Sequence, residues 1–301
     1  MSTSRSPLVV VGVDGSPGSV LAVDWAAAEA ERRGARLELL YAEVPTPPVV
    51  GLEPAPVAPL APDPVPHFLE EARQRVVVAW PGLEVGLWPT VGGPASSIIE
   101  RSRHADVVVV GAHGRSMLGR LFLGSVSHHV AAHARCLAVV VRGRLPEETA
   151  PVSVGIDDSP TARLALEVAF EEARSRRVPL VVFHAWQDIP TTGYGVWAPP
   201  PALADELRAE AETLLADTVR GWPEKYPEVE VHTRVEHSHP MTAVVAESER
   251  SQLVVLGAHG RGHFAGMAVG SVPSAAVREA TCPVMVVHAA ARGQADGPSA
   301  Q

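Results

Sequence analysis

The sequence has 301 residues, 46% of them hydrophobic and 20% charged, a composition typical of a soluble globular protein with material for two domains. Its net charge of -9 and isoelectric point near 5.8 argue against a surface for nucleic acids or anionic membranes, since both are bound through basic patches. Lys225 is the only lysine, so an ATPase that depends on a Walker P-loop lysine is excluded. No apolar run approaches the roughly 20 residues of a membrane span. The N-terminus lacks the layout of a secretory signal, so we expect a cytoplasmic protein.

In chain order, the first half alternates short β-branched runs with amphipathic stretches, which predicts βαβ units around a buried parallel sheet. Strands are predicted near residues 8–13, 36–42, 84–88, 106–110 and 137–142, with helices between them. Ser16 and Pro17 are a good N-cap and first residue for a helix that Gly34 ends. Pro94 opens a later helix in the same way. Residues 45–66 contain nine prolines and are predicted to form a long exposed loop.

The second half of the chain repeats the first. Residues 9–42 align without gaps on 152–185, and residues 107–126 align on 253–272. Duplication of a domain of about 145 residues explains both alignments, because this period is too long for a solenoid repeat. The predicted domains are therefore residues 1–146 and 147–290, followed by a disordered tail at 291–301.

The cysteines and several histidines are interpreted as structural or solvent-exposed. Cys136 and Cys282 are too few for a disulfide framework, and each precedes an apolar run, which indicates a packing role. His129 and His133 have the spacing of a metal pair on a helix, but no Glu lies between them in the metalloprotease pattern, which favours a solvated helix face. The segment 237–239, His-Ser-His, is predicted to lie in a loop with the same exposed character.

A glycine-rich stretch follows the fourth predicted strand. It reads GAHGRSMLGRLFLGS over residues 111–125, and the same glycine spacing recurs in the second copy. In an open parallel sheet, ligands bind beyond the carboxyl ends of the strands. A helix that begins at Gly124–Ser125 would offer unpaired N–H groups there, to which Ser127 and Arg115 would add donors and charge. The pattern predicts a phosphate site, with Asp14 on the opposite lip accepting from ribose hydroxyls or helping to hold a magnesium ion.

This glycine spacing, the VGVDGS start at 11–16 and the CPVMVV run at 282–287 closely resemble the universal stress protein family in its tandem-domain, ATP-binding branch. The resemblance covers nearly the whole chain. It implies an α/β fold of two repeated Rossmann-like (adenine nucleotide alpha hydrolase-like) domains, each with a five-stranded parallel sheet of order 3-2-1-4-5 flanked by helices. It also implies that ATP, with or without Mg, binds where the strand order reverses.

Residue by residue, the resemblance implies one site in each copy. In the first copy, Gly12 and Asp14 would lie near the ribose, and the backbone of Ala42 would contact adenine. The residues around the phosphates would be Gly111, Gly114, Gly124, Ser125 and Ser127. The matching residues of the second copy are Gly155, Asp157, Ala185, Gly257, Gly260, Gly270 and Ser271. The glycine loops also bring side chains within reach of a phosphate, namely His113, Arg115, His259 and Arg261. No catalytic residue is assigned, and the metal ligands are left open.

The second copy departs from the first at two positions. Pro273 replaces Ser127, and a lost donor to a charged phosphate costs roughly 1.5–3 kcal/mol, which predicts a weaker second site. Asp158 replaces Gly15 and is expected to add either repulsion or a metal contact.

Three functions are compatible with these residues. The favoured one is an ATP-binding regulator or sensor in the stress response, with an adenine nucleotide and an unknown protein as partners. A weak ATPase or nucleotide hydrolase would use the same cleft, but no residue nearby in sequence marks an activated nucleophile. An interaction module with a structural nucleotide is the third, although both glycine motifs are intact.

The last apolar run of each copy predicts how the two halves meet. The runs at 137–142 and 283–288 would each leave an unpaired sheet edge. We therefore expect the two final strands to pair antiparallel across a pseudo-two-fold axis, as an internal pseudo-dimer, with the two sites opening away from one another. Whether the chain also forms a homodimer is left open.

Overall fold

The computed structural model describes residues 6–44, 65–114, 124–143, 145, 147–187, 201–260 and 268–289, with residues 201–203 described by their backbone alone. In the first half the described elements are, in order, β1 (Leu8–Gly12), α1 (Pro17–Arg33), β2 (Arg36–Glu43), α2 (His67–Ala79), β3 (Val85–Val91), α3 (Pro94–Arg101), β4 (Val107–Gly111), α4 (Ser125–His133) and β5 (Leu137–Val141). In the second half they are β6 (Val152–Gly155), α5 (Pro160–Arg176), β7 (Leu180–Trp186), α6 (Pro201–Val219), α7 (Trp222–Lys225), β8 (Val231–His237), α8 (Pro240–Ser248), β9 (Leu253–Gly257), α9 (Ser271–Glu279) and β10 (Val284–Val287). Of the described helices, none is long and apolar enough to cross a bilayer.

The ends of α1 and α5 follow from their capping residues. Ser16 accepts a hydrogen bond from the N–H of Ser19 and so caps α1, while Gly34 ends the helix in the left-handed region at φ 58°. Ser159 caps α5 in the same way. At the other end of α5, however, Arg177 occupies the left-handed position at φ 57°, where a side chain is strained. The predicted start and end of α1 and the predicted start of α3 at Pro94 are confirmed.

All ten described strands form one sheet, in the order β3-β2-β1-β4-β5-β10-β9-β6-β7-β8. Each half contributes a parallel sheet of order 3-2-1-4-5, as predicted. The halves join where β5 pairs antiparallel with β10, with Met285 opposite Val139. The predicted pairing of the two final strands is confirmed. Because the direction of the strands reverses at this joint, the carboxyl ends of the two parallel sheets lie at opposite edges.

Helices cover both faces of this sheet. On one face α1, α2, α5 and α6 pack over alternate strand residues such as Val9 and Val154. On the other face α3, α4, α8 and α9 pack over the intervening residues, such as Val10 and Val254. Each core cluster contains residues of both halves, so the hydrophobic core is continuous across the joint.

A cluster of four charged side chains lies between α1 and α5 at this joint. Arg176 bonds both Glu29, at 2.6 Å, and Glu172, at 2.9 Å, and its side chain is only 6% exposed. Arg33 pairs with Glu172 of the other half and with Glu29 of its own helix. Burial opposes ionisation of Glu29, but the combined attraction of the neighbouring arginines outweighs it and lowers its pKa to about 2. We refer to Glu29, Arg33, Glu172 and Arg176 as the joint cluster.

One loop prediction was wrong, and the cysteine prediction was right. His237 is the last residue of β8, where it pairs with Trp186, so only Ser238 and His239 lie in the predicted loop, while the exposure predicted for both histidines is confirmed. His239 caps α8 by accepting from the N–H of Met241. Cys136 and Cys282 are buried, and burial raises the pKa of each thiol to about 12, in keeping with a packing role. Most of the proline-rich stretch, residues 45–64, and the tail at 291–301 lie outside the described residues.

Candidate functional site

A cleft of about 730 Å³ opens at the carboxyl ends of β1, β2 and β4, where the strand order of the first half reverses. We call it the first cleft. Every described residue predicted for the first site lines it, namely Gly12, Asp14, Ala42, Gly111, His113, Gly114, Gly124, Ser125 and Ser127. Arg115 lies outside the described residues. The structure therefore brings together residues from four separate segments of the chain.

Asp14 belongs to the loop after β1, which forms one lip of the first cleft, and its carboxylate lies beside Gly114 of the other lip. Its Oδ1 accepts a hydrogen bond from the N–H of Ser16, which fixes the turn before α1. A Cβ placed on Gly114 would lie 2.8 Å from Oδ2 of the same carboxylate. A side chain at position 114 would therefore displace this carboxylate from its present position, which glycine leaves undisturbed.

The loop after β4 is also held by its backbone. The Ser16 hydroxyl donates to the carbonyl of His113 at 3.3 Å, and a Cβ on Gly18 would lie 2.7 Å from that oxygen. The N–H of Gly124 donates to the carbonyl of Ala112 at 2.9 Å, which brings the start of α4 back to the end of β4. These contacts place residues 112–114 and the start of α4 side by side in the cleft wall.

The start of α4 is the part of the first cleft best suited to an anion. Its N-cap residue, Gly124, makes no side-chain capping bond, whereas Ser16 caps α1 on the opposite lip. The N–H groups of the first turn, from Ser125 to Ser127, are those that a helix leaves without intrahelical partners. Together with the helix dipole, they favour a negatively charged group in this part of the cleft.

Ser127 has a different task from the predicted one. Its side chain is buried, and its hydroxyl donates to the carbonyl of Gly111 at 2.7 Å. The expectation that this hydroxyl donates to a phosphate is therefore corrected, since its single proton is already used. Ser127 instead ties the first turn of α4 to the last residue of β4.

The far end of the first cleft is apolar apart from Glu43. Val13 donates its N–H to the carbonyl of Leu40 at 2.8 Å, so the backbone passes close to the end of β2 beside Ala42. Side chains that the sequence reasoning missed complete this end, namely Leu40, Tyr41, Glu43, Val44, Pro94, Ile98 and Val110. Pro94 was predicted to open a helix at the carboxyl end of the sheet. That prediction was the feature of the sequence that could have identified this wall of the cleft.

A second cleft, of about 420 Å³, occupies the same place in the other half. Every described residue predicted for the second site lines it, namely Gly155, Asp157, Ala185, Gly257, His259, Gly260, Gly270 and Ser271. Arg261 lies outside the described residues. The N–H of Ser159 donates to Asp157 at 3.1 Å and the hydroxyl of Thr161 donates to the carbonyl of His259, so the lips are held as in the first cleft.

The two departures of the second copy have consequences other than those expected. Pro273 lies at the third position of α9, where Ser127 lies in α4, so this turn lacks one backbone N–H as well as the hydroxyl tie. Asp158 does not line the second cleft. Its backbone is in the left-handed region at φ 62°, and its carboxylate pairs with Arg163 at 2.8 Å. The expectation that Asp158 adds repulsion or a metal contact at this site is corrected.

Fold and clefts together define a doubly wound α/β protein in which each of two repeats has a cleft at the carboxyl ends of its strands. The model of the universal stress protein family matches residues 8–142 and again residues 149–288. The chain therefore belongs to the universal stress protein family, which places it in the stress response, and the resemblance seen in the sequence is confirmed.

Individual relatives extend this result. A universal stress protein of Mycolicibacterium smegmatis is 39% identical over 291 residues, which cover 93% of this chain and 96% of the relative. One of Mycobacterium tuberculosis is 37% identical over 308 residues, covering 96% and 99%. The crystal structure of a universal stress protein from Archaeoglobus fulgidus is 20% identical with a TM-score of 0.59, and covers 94% of this chain and 97% of that one, a likeness of fold.

Proposed function

We propose that this protein is a nucleotide-dependent regulator or sensor of the stress response that binds ATP through its triphosphate in the first cleft. The observation that carries the proposal is the start of α4, where Gly124 leaves the helix without a side-chain cap inside a cleft that also has an apolar end. A triphosphate fits the uncapped N–H groups, and a flat base fits the apolar end beside Ala42. In this arrangement Gly12 and Asp14 face the ribose.

A magnesium ion would be held mainly by the nucleotide itself. Within the described part of the chain, no group of three or more His, Cys, Asp or Glu side chains is placed to hold a metal ion. Magnesium commonly binds one or two carboxylates together with phosphate oxygens and water. Asp14, beside the glycine loop, is the carboxylate that would supply such a ligand in the first cleft.

Calorimetric titration with ATP, ADP and adenosine tests the proposal. We expect affinity to fall in that order, because the donors lie at the phosphate end. Gly124→Glu should abolish binding in the first cleft, since a Cβ there already lies 3.3 Å from the carbonyl of Ala112 and the new carboxylate would repel phosphates. Gly82→Glu is the matched control, because no atom of the described residues lies within 4 Å of a Cβ at Gly82 and it lines neither cleft. Equal affinity for ATP and adenosine would refute triphosphate recognition.

A further inference from the structure

The base ends of the two clefts share one backbone arrangement. Glu43 pairs in register with Val91, and Trp186 pairs in register with His237. The carbonyl of Glu43 accepts from the N–H of Gly92 at 2.8 Å, and the carbonyl of Trp186 accepts from the N–H of Ser238 at 2.9 Å. The backbone is therefore held in the same way at these two positions, where the side chains differ.

Those side chains differ in kind. The exposed carboxylate Glu43 lines the first cleft, whereas the half-buried indole of Trp186 lines the second. The Trp186 ring stacks on the His237 imidazole, with ring centroids 4.1 Å apart and planes 18° apart. This stack holds the indole in one orientation, so little rotamer entropy remains to be lost when a ligand binds.

Two further wall positions of the second cleft carry larger side chains. Buried Phe183 lines it at the place where Leu40 lines the first cleft, and Leu256 takes the place of Val110. The larger side chains are consistent with its smaller volume, about 420 Å³ against about 730 Å³. At the phosphate end, Pro273 removes one of the three N–H donors of the first helical turn.

The geometry points to a second cleft that selects its ligand through the aromatic base, with Trp186 as the stacking and specificity-determining residue, and that takes a purine nucleoside or its monophosphate. The first cleft, with its full set of N–H donors, selects through the polyphosphate. This inference rests on the proposed function, because it assigns the base end and the phosphate end of the clefts as above. A flat heteroaromatic base stacks on an indole face, and a bicyclic purine offers the larger contact.

The test isolates the second cleft by using Gly124→Glu as the background and titrating AMP and ATP. We expect one AMP bound per chain, with an ATP affinity within about threefold of AMP, and a change in tryptophan fluorescence on binding. Adding Trp186→Leu should weaken AMP binding about tenfold or more. Trp186→Phe should restore binding to within about threefold while abolishing the fluorescence change, because a phenyl ring stacks but the reporter is gone.

Trp88→Leu is the matched control for loss of a tryptophan. Trp88 lies on the edge strand β3, is 44% exposed and lines neither cleft, so both AMP affinity and the fluorescence change should persist. Unchanged AMP affinity in Trp186→Leu, ATP binding more than tenfold tighter than AMP, or binding of neither nucleotide in the background would overturn the inference. The proposed function fails by a different result, namely that the unmodified chain does not bind ATP through its phosphates. The two failures can therefore be told apart.

Discussion

Replacing Arg176 with Met should destabilise the whole protein, because it removes the best-buried cation of the joint cluster. Arg176 bonds Glu29 and Glu172, whose side chains are 1% and 2% exposed, from opposite halves of the sheet. Met keeps the apolar stem of the side chain, so the change isolates the guanidinium. The two carboxylates would then share Arg33, with Arg32 adding one further contact to Glu29.

The size of the effect follows from burial. Removing one partner of a buried ion pair typically costs 3–5 kcal/mol, because the remaining charge is left uncompensated. Since Arg33 remains, we expect the lower end, about 3 kcal/mol. With an unfolding entropy of about 2.1 cal/mol/K per residue, this corresponds to a fall of about 5 °C in the melting temperature for cooperative unfolding of the chain.

Urea unfolding followed by far-UV circular dichroism measures this loss. Arg33→Met is the matched variant, and it should cost less because the Arg33 side chain is 27% exposed and water can solvate the carboxylates once it is gone. Arg103→Met removes an exposed pair with Glu100 and should change the free energy of unfolding by less than about 0.5 kcal/mol. If Arg176→Met were as mild as Arg103→Met, the reasoning about the joint cluster would be wrong.

Three further predictions concern the same architecture. The charge of Glu29 stabilises the fold above pH 4.5, and this stability is lost as the pH falls towards 2. The difference in unfolding free energy between the unmodified chain and Glu29→Gln should therefore shrink over that interval. A difference independent of pH would contradict this prediction. Arg177→Gly should raise the free energy of unfolding in urea by about 0.5–1 kcal/mol, because glycine adopts the left-handed φ without strain; no gain would show that the position is not strained. Residues 1–146 expressed alone should dimerise or aggregate in light scattering, since the β5 edge loses β10, whereas a monomer at high concentration would show that the edge is covered in another way.

The sequence was sufficient for the fold because its local signals agree with one another. Alternating β-branched runs, the Ser16 cap, the Gly34 stop and the duplicated segments all indicate the same βαβ repeat. The predicted site residues also meet, because the carboxyl ends of parallel strands share one edge. That the residues bind a nucleotide stays a prediction.

Other features depend on contacts between distant segments and left no local signal. The task of Ser127 is set by the carbonyl of Gly111, sixteen residues earlier. Trp186 and His237 meet only because β7 and β8 pair in register. The joint cluster likewise forms only when the two halves are placed side by side, so Glu29 and Glu172 look like ordinary helix-surface residues in the sequence.

The β5–β10 pairing restricts how this protein can respond to a ligand. A hinge between the halves would have to break backbone hydrogen bonds in the middle of a continuous sheet and separate buried opposite charges. A ligand that binds one cleft would therefore act through the loops and helix starts around it, which include the contact between His128 of α4 and Ser274 of α9 at 3.3 Å. Because the clefts lie at opposite edges of the sheet, the chain presents two separate surfaces at which a partner could dock.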